Sequence, residues 1–197
     1  MNFSGQCLRG FTLYELIITM LIISALVVFA VPRFSGSAGY DEYAYQARLI
    51  STLRHMQLRA LNDTRPTYCF QVNFDNANDA FGPPTLKYTA AAGASSRTCS
   101  DVIDVDGLLL GAESAKYQHL FGLASELQQD NIDLLALNSV GGVITYIGFD
   151  HLGRPLTSDA GNDNCNAGCT IQFSSVVSTA QVCVEPQGYI HSGVCGG

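Results

Sequence analysis

The side chains best placed to do chemistry in this 197-residue chain are one carboxylate and a set of seven cysteines. Glu15 stands near the start of a run, residues 11–31, that carries no other charge. An ionised carboxylate inside an apolar segment is costly, about 2.5–3.5 kcal/mol at the centre of a membrane helix, so it normally has a partner and a role. The nearest partner is an amine that the intact chain does not contain. Cutting between Gly10 and Phe11 would create one, so the spacing offers a carboxylate–ammonium pair.

A cut after Gly10 also removes Cys7 and leaves Cys69, Cys99, Cys165, Cys169, Cys183 and Cys195. An even set in an exported domain points to disulfides, although the sequence does not choose among the complete pairings. Loop proximity favours Cys69 with Cys99, Cys165 with Cys169, and Cys183 with Cys195. Lipidation at Cys7 is rejected, because the apolar stretch follows that cysteine instead of preceding it. His55, His119, His151 and His191 have no spacing typical of a zinc site. Cys165 and Cys169 with His151 are a metal alternative, but in an oxidising compartment the disulfide reading is the stronger. Asp159, Asn162, Asp163 and Asn164 supply hard oxygen ligands of the kind calcium uses, yet they do not fit an EF-hand loop and read as a polar turn. No Gly-x-Ser-x-Gly elbow is present. The expectation is therefore no catalytic residue, no metal, no cofactor and no enzyme.

Composition narrows the partners. The formal net charge is −7 and no run is rich in Lys or Arg, which argues against a nucleic-acid partner. Charged residues make up 14%, against about 25% for an average soluble protein. The length suits one moderate domain beyond the apolar N-terminal segment.

Several elements must position these groups. Residues 11–31 are long enough to cross a bilayer as a helix, which takes about 20 residues. Pro32 then removes a backbone donor and predicts a kink, and Gly36 and Gly39 weaken the helix further. A helical pattern resumes at Asp41, where Leu49, Ile50, Leu53, Met56, Ala60 and Leu61 share one broad face with Arg48 and Arg59 opposite. Asn62, Asp63 and Pro66 close it. Tyr68, Phe70, Val72 and Phe74 alternate as a half-buried strand. Further strands are predicted over residues 85–89, 132–137, 143–149, 170–174 and 181–185, with turns at 75–79, 150–155 and 186–188. A long helix followed by short strands at regular spacing predicts α+β: membrane-spanning half, Pro kink and amphipathic half, packed on a C-terminal antiparallel sheet domain.

Gly10-Phe11-Thr12-Leu13-Tyr14-Glu15 and its apolar tail resemble the class III signal of type IV prepilins and type II secretion pseudopilins. The resemblance implies a leader at 1–10, cleavage between Gly10 and Phe11 by a prepilin peptidase, N-methylation of Phe11, and pairing of Glu15 with the N-terminal amine of a neighbouring subunit. It also implies a transmembrane or filament-core helix at 11–31, a kink and amphipathic helix at 32–66, and a β-rich domain at 67–197. Ile147-Gly148-Phe149, Gly153-Arg154-Pro155, Ile171-Gln172-Phe173 and Val182-Cys183-Val184 with Gly188-Tyr189-Ile190 are laid out as in H-type pseudopilins and their fimbrial T-type relatives. Within that group the ending and the cysteine content are most similar to the minor pilins of the mannose-sensitive haemagglutinin (MSHA) pilus. The implied role is a minor pilin that primes or caps assembly and contributes to surface adhesion. The implied partners are the prepilin peptidase, other major and minor pilins, and the inner membrane before assembly, with the globular domain periplasmic and then on the cell surface. A type II secretion pseudopilin and a ligand- or DNA-binding pilus-tip module remain the alternatives.

Overall fold

A computed structural model of the chain describes residues 12–34, 39–63, 70–84, 103, 118–157 and 165–196, with side chains in the first stretch described over 12–27. Two compact units emerge, Met1–Ser37 and Ala38–Gly197.

The first unit holds α1, Leu13–Phe34. Thr12 starts it: its carbonyl accepts from Leu16 N at 3.2 Å, and its Oγ1 accepts from Glu15 N at 3.3 Å. A threonine side chain bonded to the N–H three residues on satisfies one of the donors a helix start leaves unpaired. This start corrects the predicted membrane-spanning half. The expected apolar helix opens at Phe11, whereas α1 opens two residues later, and the part with described side chains, 13–27, is 15 residues. Among the described residues no helix is long and apolar enough to cross a membrane. At Pro32, the predicted kink, α1 continues as helix to Phe34. The long helix predicted in two halves falls into two units, of which only the second contains the sheets.

The second unit opens with α2, Asp41–Asn62. Tyr45, Leu49, Thr52, Leu53, Met56 and Ala60 form its buried stripe. The stripe is rotated from the predicted face, since Leu61 is exposed and Ile50 only half-buried. No side chain caps its N-terminus, but Asp41 and Glu42 lie in the first turn, where negative charge is favoured. Glu42 is 1% exposed, and Ser175 Oγ donates to its Oε1.

The strand pattern predicts an antiparallel sheet domain, which the structure divides into two sheets. Among the described residues, eight strands form two four-stranded antiparallel sheets. The first has the order β2-β1-β4-β5, with β1 Gln71–Asp75, β2 Ala80–Gly82, β4 Tyr146–Phe149 and β5 Pro155–Thr157. The second has the order β3-β6-β7-β8, with β3 Asp133–Leu137, β6 Cys169–Ser174, β7 Thr179–Val184 and β8 Ile190–Ser192. A short helix α3, Ala124–Gln129, precedes β3. α2 packs against strands of both sheets, and Leu49, Leu53, Met56, Val72, Ile147, Ile171, Phe173 and Val182 belong to one core. Burying such side chains stabilises the fold by about 1.5–3 kcal/mol each. β1 is covered on both faces, because Gln71 and Asn73 are buried along with Val72 and Phe74.

Three local devices hold the layers in register. Phe81 and Gly122 exchange backbone bonds of 3.0 and 2.9 Å. A Cβ on Gly82 would fall 2.2 Å from the Phe121 ring, and one on Gly122 would fall 2.2 Å from the Phe81 ring, so each ring lies over the other segment's glycine. On α2, Gln57 Nε2 donates to Gly153 O at 2.8 Å and Gly188 O at 2.6 Å, joining the turns that follow β4 and β7. At the edge of the second sheet, Asp79 Oδ1 accepts from Leu134 N at 2.8 Å and Asn76 Oδ1 from Ala136 N at 2.7 Å.

Glu42 makes the fold acid-sensitive. Burial works to raise its pKa, but the hydrogen bond from Ser175 and the nearby backbone N–H groups outweigh that effect and hold it below the ordinary 4.5. A depressed folded-state pKa gives stability that is fully present above pH 4.5 and is lost as the pH falls through the folded-state value. Glu42→Gln is expected to cost roughly 1.5–3 kcal/mol at pH 7, the range for a hydrogen bond to a charged group. Urea unfolding at pH 7 and pH 4 checks it: the gap between wild type and variant should narrow at the lower pH. A gap independent of pH would remove the ionised carboxylate from the account.

Candidate functional site

Two regions carry the candidate chemistry, one in each unit. In the first, Gly10 and Phe11 lie outside the described residues, as does Cys7. Glu15 is the third residue of α1, exposed, and among the described residues it makes no ion pair. Leu13, Leu16, Ile17, Met20, Leu21, Ile22, Ile23 and Leu26 are all about half exposed or more. These positions fall on every side of a helix with 3.6 residues per turn. A helix that is apolar all round is normally covered by other elements.

In the second unit the four described cysteines gather at one end of the β6–β7–β8 part of the second sheet. Cys165 is bonded to Cys169 and Cys183 to Cys195. Cys69 and Cys99 lie outside the described residues. Cys165 sits in the turn before β6, at φ +59, and Gly168 follows at φ +91. A Cβ on Gly168 would fall 2.7 Å from Cys195 Cβ, so this glycine makes the room in which the second disulfide packs beside the first.

Sequence reasoning did not connect two neighbours of these sulfurs. Cys183 and His191 are directly opposed across the β7–β8 pair, and Glu185 lies two residues beyond Cys183. Residues opposed across a strand pair, and residues two apart along a strand, project to the same face. Glu185 Oε1 lies 3.4 Å from Cys183 Sγ and 3.3 Å from His191 Nε2, and it accepts from Gly196 N at 3.2 Å. The bond from Gly196, then that from His191, hold the Glu185 carboxyl below its ordinary pKa of 4.5. The signal that would have found this cluster is Cys-x-Glu-x5-His-x3-Cys, which is short and becomes visible only once the hairpin register is known.

Beside the cluster, an open groove of about 690 Å³ runs between α2 and β8. Arg54 closes one wall by donating to Ile190 O at 2.8 Å, and Tyr189 stacks on His191 with ring centroids 5.1 Å apart. His55, also in the groove, accepts from Arg59 Nε at 2.9 Å, which requires its Nε2 to be unprotonated. Burial, then the charges of Arg59 and His119, push its pKa down in agreement. His151 stands apart in the turn after β4, and Asp159, Asn162, Asp163 and Asn164 lie outside the described residues. The sequence matches no family model, and neither the curated proteins nor the solved structures yield a match.

Proposed function

We propose that this chain is a minor subunit of a type IV pilus-like filament, of the MSHA type, which primes or caps assembly and contributes to surface adhesion. A prepilin peptidase cuts between Gly10 and Phe11, the new N-terminus is methylated, and the globular unit is carried on the cell surface. One observation carries the reading: Gly10-Phe11-Thr12-Leu13-Tyr14-Glu15 leads into a helix whose apolar side chains are exposed on every side. Other pilin helices supply the cover such a helix needs. Glu15 gains the N-terminal amine of a neighbouring subunit, which gives an otherwise uncompensated carboxylate a charged partner in an apolar bundle. The disulfides Cys165–Cys169 and Cys183–Cys195 suit a domain that works in an oxidising compartment.

Mass spectrometry of the filament fraction is expected to find this subunit starting at an N-methylated Phe11. A start near Val31 would exclude the proposed processing. Glu15→Ala is expected to reduce filament incorporation at least tenfold, the effect of losing about 1.4 kcal/mol of pairing energy, while leaving the globular unit folded. Undiminished incorporation would remove the registration role.

A further inference from the structure

We propose that when the Cys183–Cys195 disulfide is opened, its two thiolates join Glu185 and His191 in a four-ligand site for a borderline-soft divalent ion, with Zn²⁺ the best match. The inference concerns the C-terminal hairpin alone and does not rest on the pilus reading. Cys183 Sγ, Cys195 Sγ and a Glu185 carboxylate oxygen already lie within 4.8 Å of one another, and among the described residues no other such group of three occurs. His191 Nε2 supplies the fourth donor, 3.3 Å from Glu185 Oε1. Tetrahedral zinc, with bonds of about 2.3 Å to sulfur and about 2.0–2.1 Å to nitrogen or oxygen, places its ligand atoms roughly 3.3–3.8 Å apart. The carboxylate–imidazole and carboxylate–sulfur distances already fall near that range. The sulfurs must separate, by about 2 Å from bonding distance.

The surroundings suit the task. Cys183 is fully buried, His191 and Glu185 are 24% and 22% exposed at their side chains, and Cys195 is half-buried, so an ion has an entry path on one side. Outer contacts are in place as well: Gly196 N donates to Glu185 Oε1, and Thr170 Oγ1 donates to Cys195 Sγ at 3.5 Å. Such contacts orient metal ligands and tune their basicity. Three ligands sit on the β7–β8 hairpin, and the fourth comes from the tail that follows it. The ion would therefore hold the tail where the disulfide now holds it.

The two forms exclude each other. A trialkylphosphine opens the disulfide by taking up the oxygen of one water, becoming the phosphine oxide and leaving two thiols. The ion then displaces the two thiol protons into solvent. In the reverse direction, a disulfide oxidant takes two electrons from the thiolates, the S–S bond forms and the ion leaves.

The experiment uses the full chain, reduced with a phosphine, freed of excess reductant under argon and titrated with Co²⁺ and then Zn²⁺. The expected result is a thiolate-to-cobalt charge-transfer band with the visible absorption of a tetrahedral centre, displaced by Zn²⁺ at one equivalent. It should persist in Cys165→Ser/Cys169→Ser and vanish in Cys183→Ser/Cys195→Ser. His191→Ala and Glu185→Gln should each weaken Zn²⁺ binding at least as much as loss of an outer-shell partner, roughly 10–100-fold. Their oxidised forms, with the disulfide intact, serve to show that these variants fold. Equal binding by the oxidised chain, survival of the band in Cys183→Ser/Cys195→Ser, or unchanged affinity in both His191→Ala and Glu185→Gln would each overturn the proposal.

Discussion

Gly188→Ala is expected to destabilise the globular unit by roughly 3–5 kcal/mol, the sum of a left-handed backbone penalty and an overpacked contact that nothing nearby can relieve. Gly188 has φ +86, and a Cβ there would fall 2.0 Å from Gly153 O and 2.6 Å from Gln57 Nε2. The nearer obstacle is backbone. The β4 and β7 turns approach so closely because Gln57 bonds both of their carbonyls, so a methyl group must either push the turns apart or break that bridge. Gly193 supplies the control, with φ +103 and nothing within 4 Å of the place its methyl group would take. Gly193→Ala should therefore lose only the backbone part, roughly 1–2 kcal/mol. Urea unfolding of the two variants separates strain from crowding; equal losses would mean that the turn contact contributes nothing.

The second large effect comes from the paired Phe-Gly segments, and here the obstacle can be removed. Phe121→Ala is expected to cost about 3–5 kcal/mol, as for other buried phenylalanines. Gly82→Ala should cost about 1–3 kcal/mol, because its Cβ would meet the Phe121 ring at 2.2 Å. The two changes should not add. With the ring gone, the methyl group enters vacated space, so the double variant is expected to be more stable than the sum of the singles predicts, by roughly 0.5–3 kcal/mol. A double-mutant cycle by chemical denaturation measures this directly, and strict additivity would show that the ring does not pack on Gly82.

Both predictions rest on contacts between distant parts of the chain, and this limits what the sequence discloses. α2 is legible: apolar residues at spacings of three and four announce a helix from Asp41 to Asn62. Even so, its buried stripe includes Tyr45 and Thr52 and omits Leu61, because a tyrosine bonded to Asp130 and a threonine bonded to Arg48 O satisfy their hydroxyls and so can be buried. Alternating residues mark β6 and β7, yet nothing local says that β3 joins them while β1 and β4 go to another sheet. Register across such strands depends on partners that alternation does not name. For β1, Gln71 and Asn73 read as a solvent face but are buried, with Gln71 Nε2 donating to Asn73 Oδ1 at 2.6 Å. In the candidate site, proximity in the chain is the sequence signal for the two described disulfides. Glu185 and His191 have none, because β7–β8 pairing alone sets them beside Cys183. At the N-terminus, counting apolar residues from Phe11 overlooks Thr12, whose hydroxyl can end a helix as well as sit within one.

The side chains at the rim of β3 also bear on what this molecule avoids. Asp79 and Asn76 occupy Leu134 N and Ala136 N, donors that an edge strand would otherwise offer to any passing backbone. At the opposite rim, Arg54 takes the carbonyl of Ile190. With groups at both margins engaged by side chains, the second sheet is a poor template for strand addition. A contact with a neighbouring molecule along these two margins therefore falls to side chains, where it can be specific and reversible.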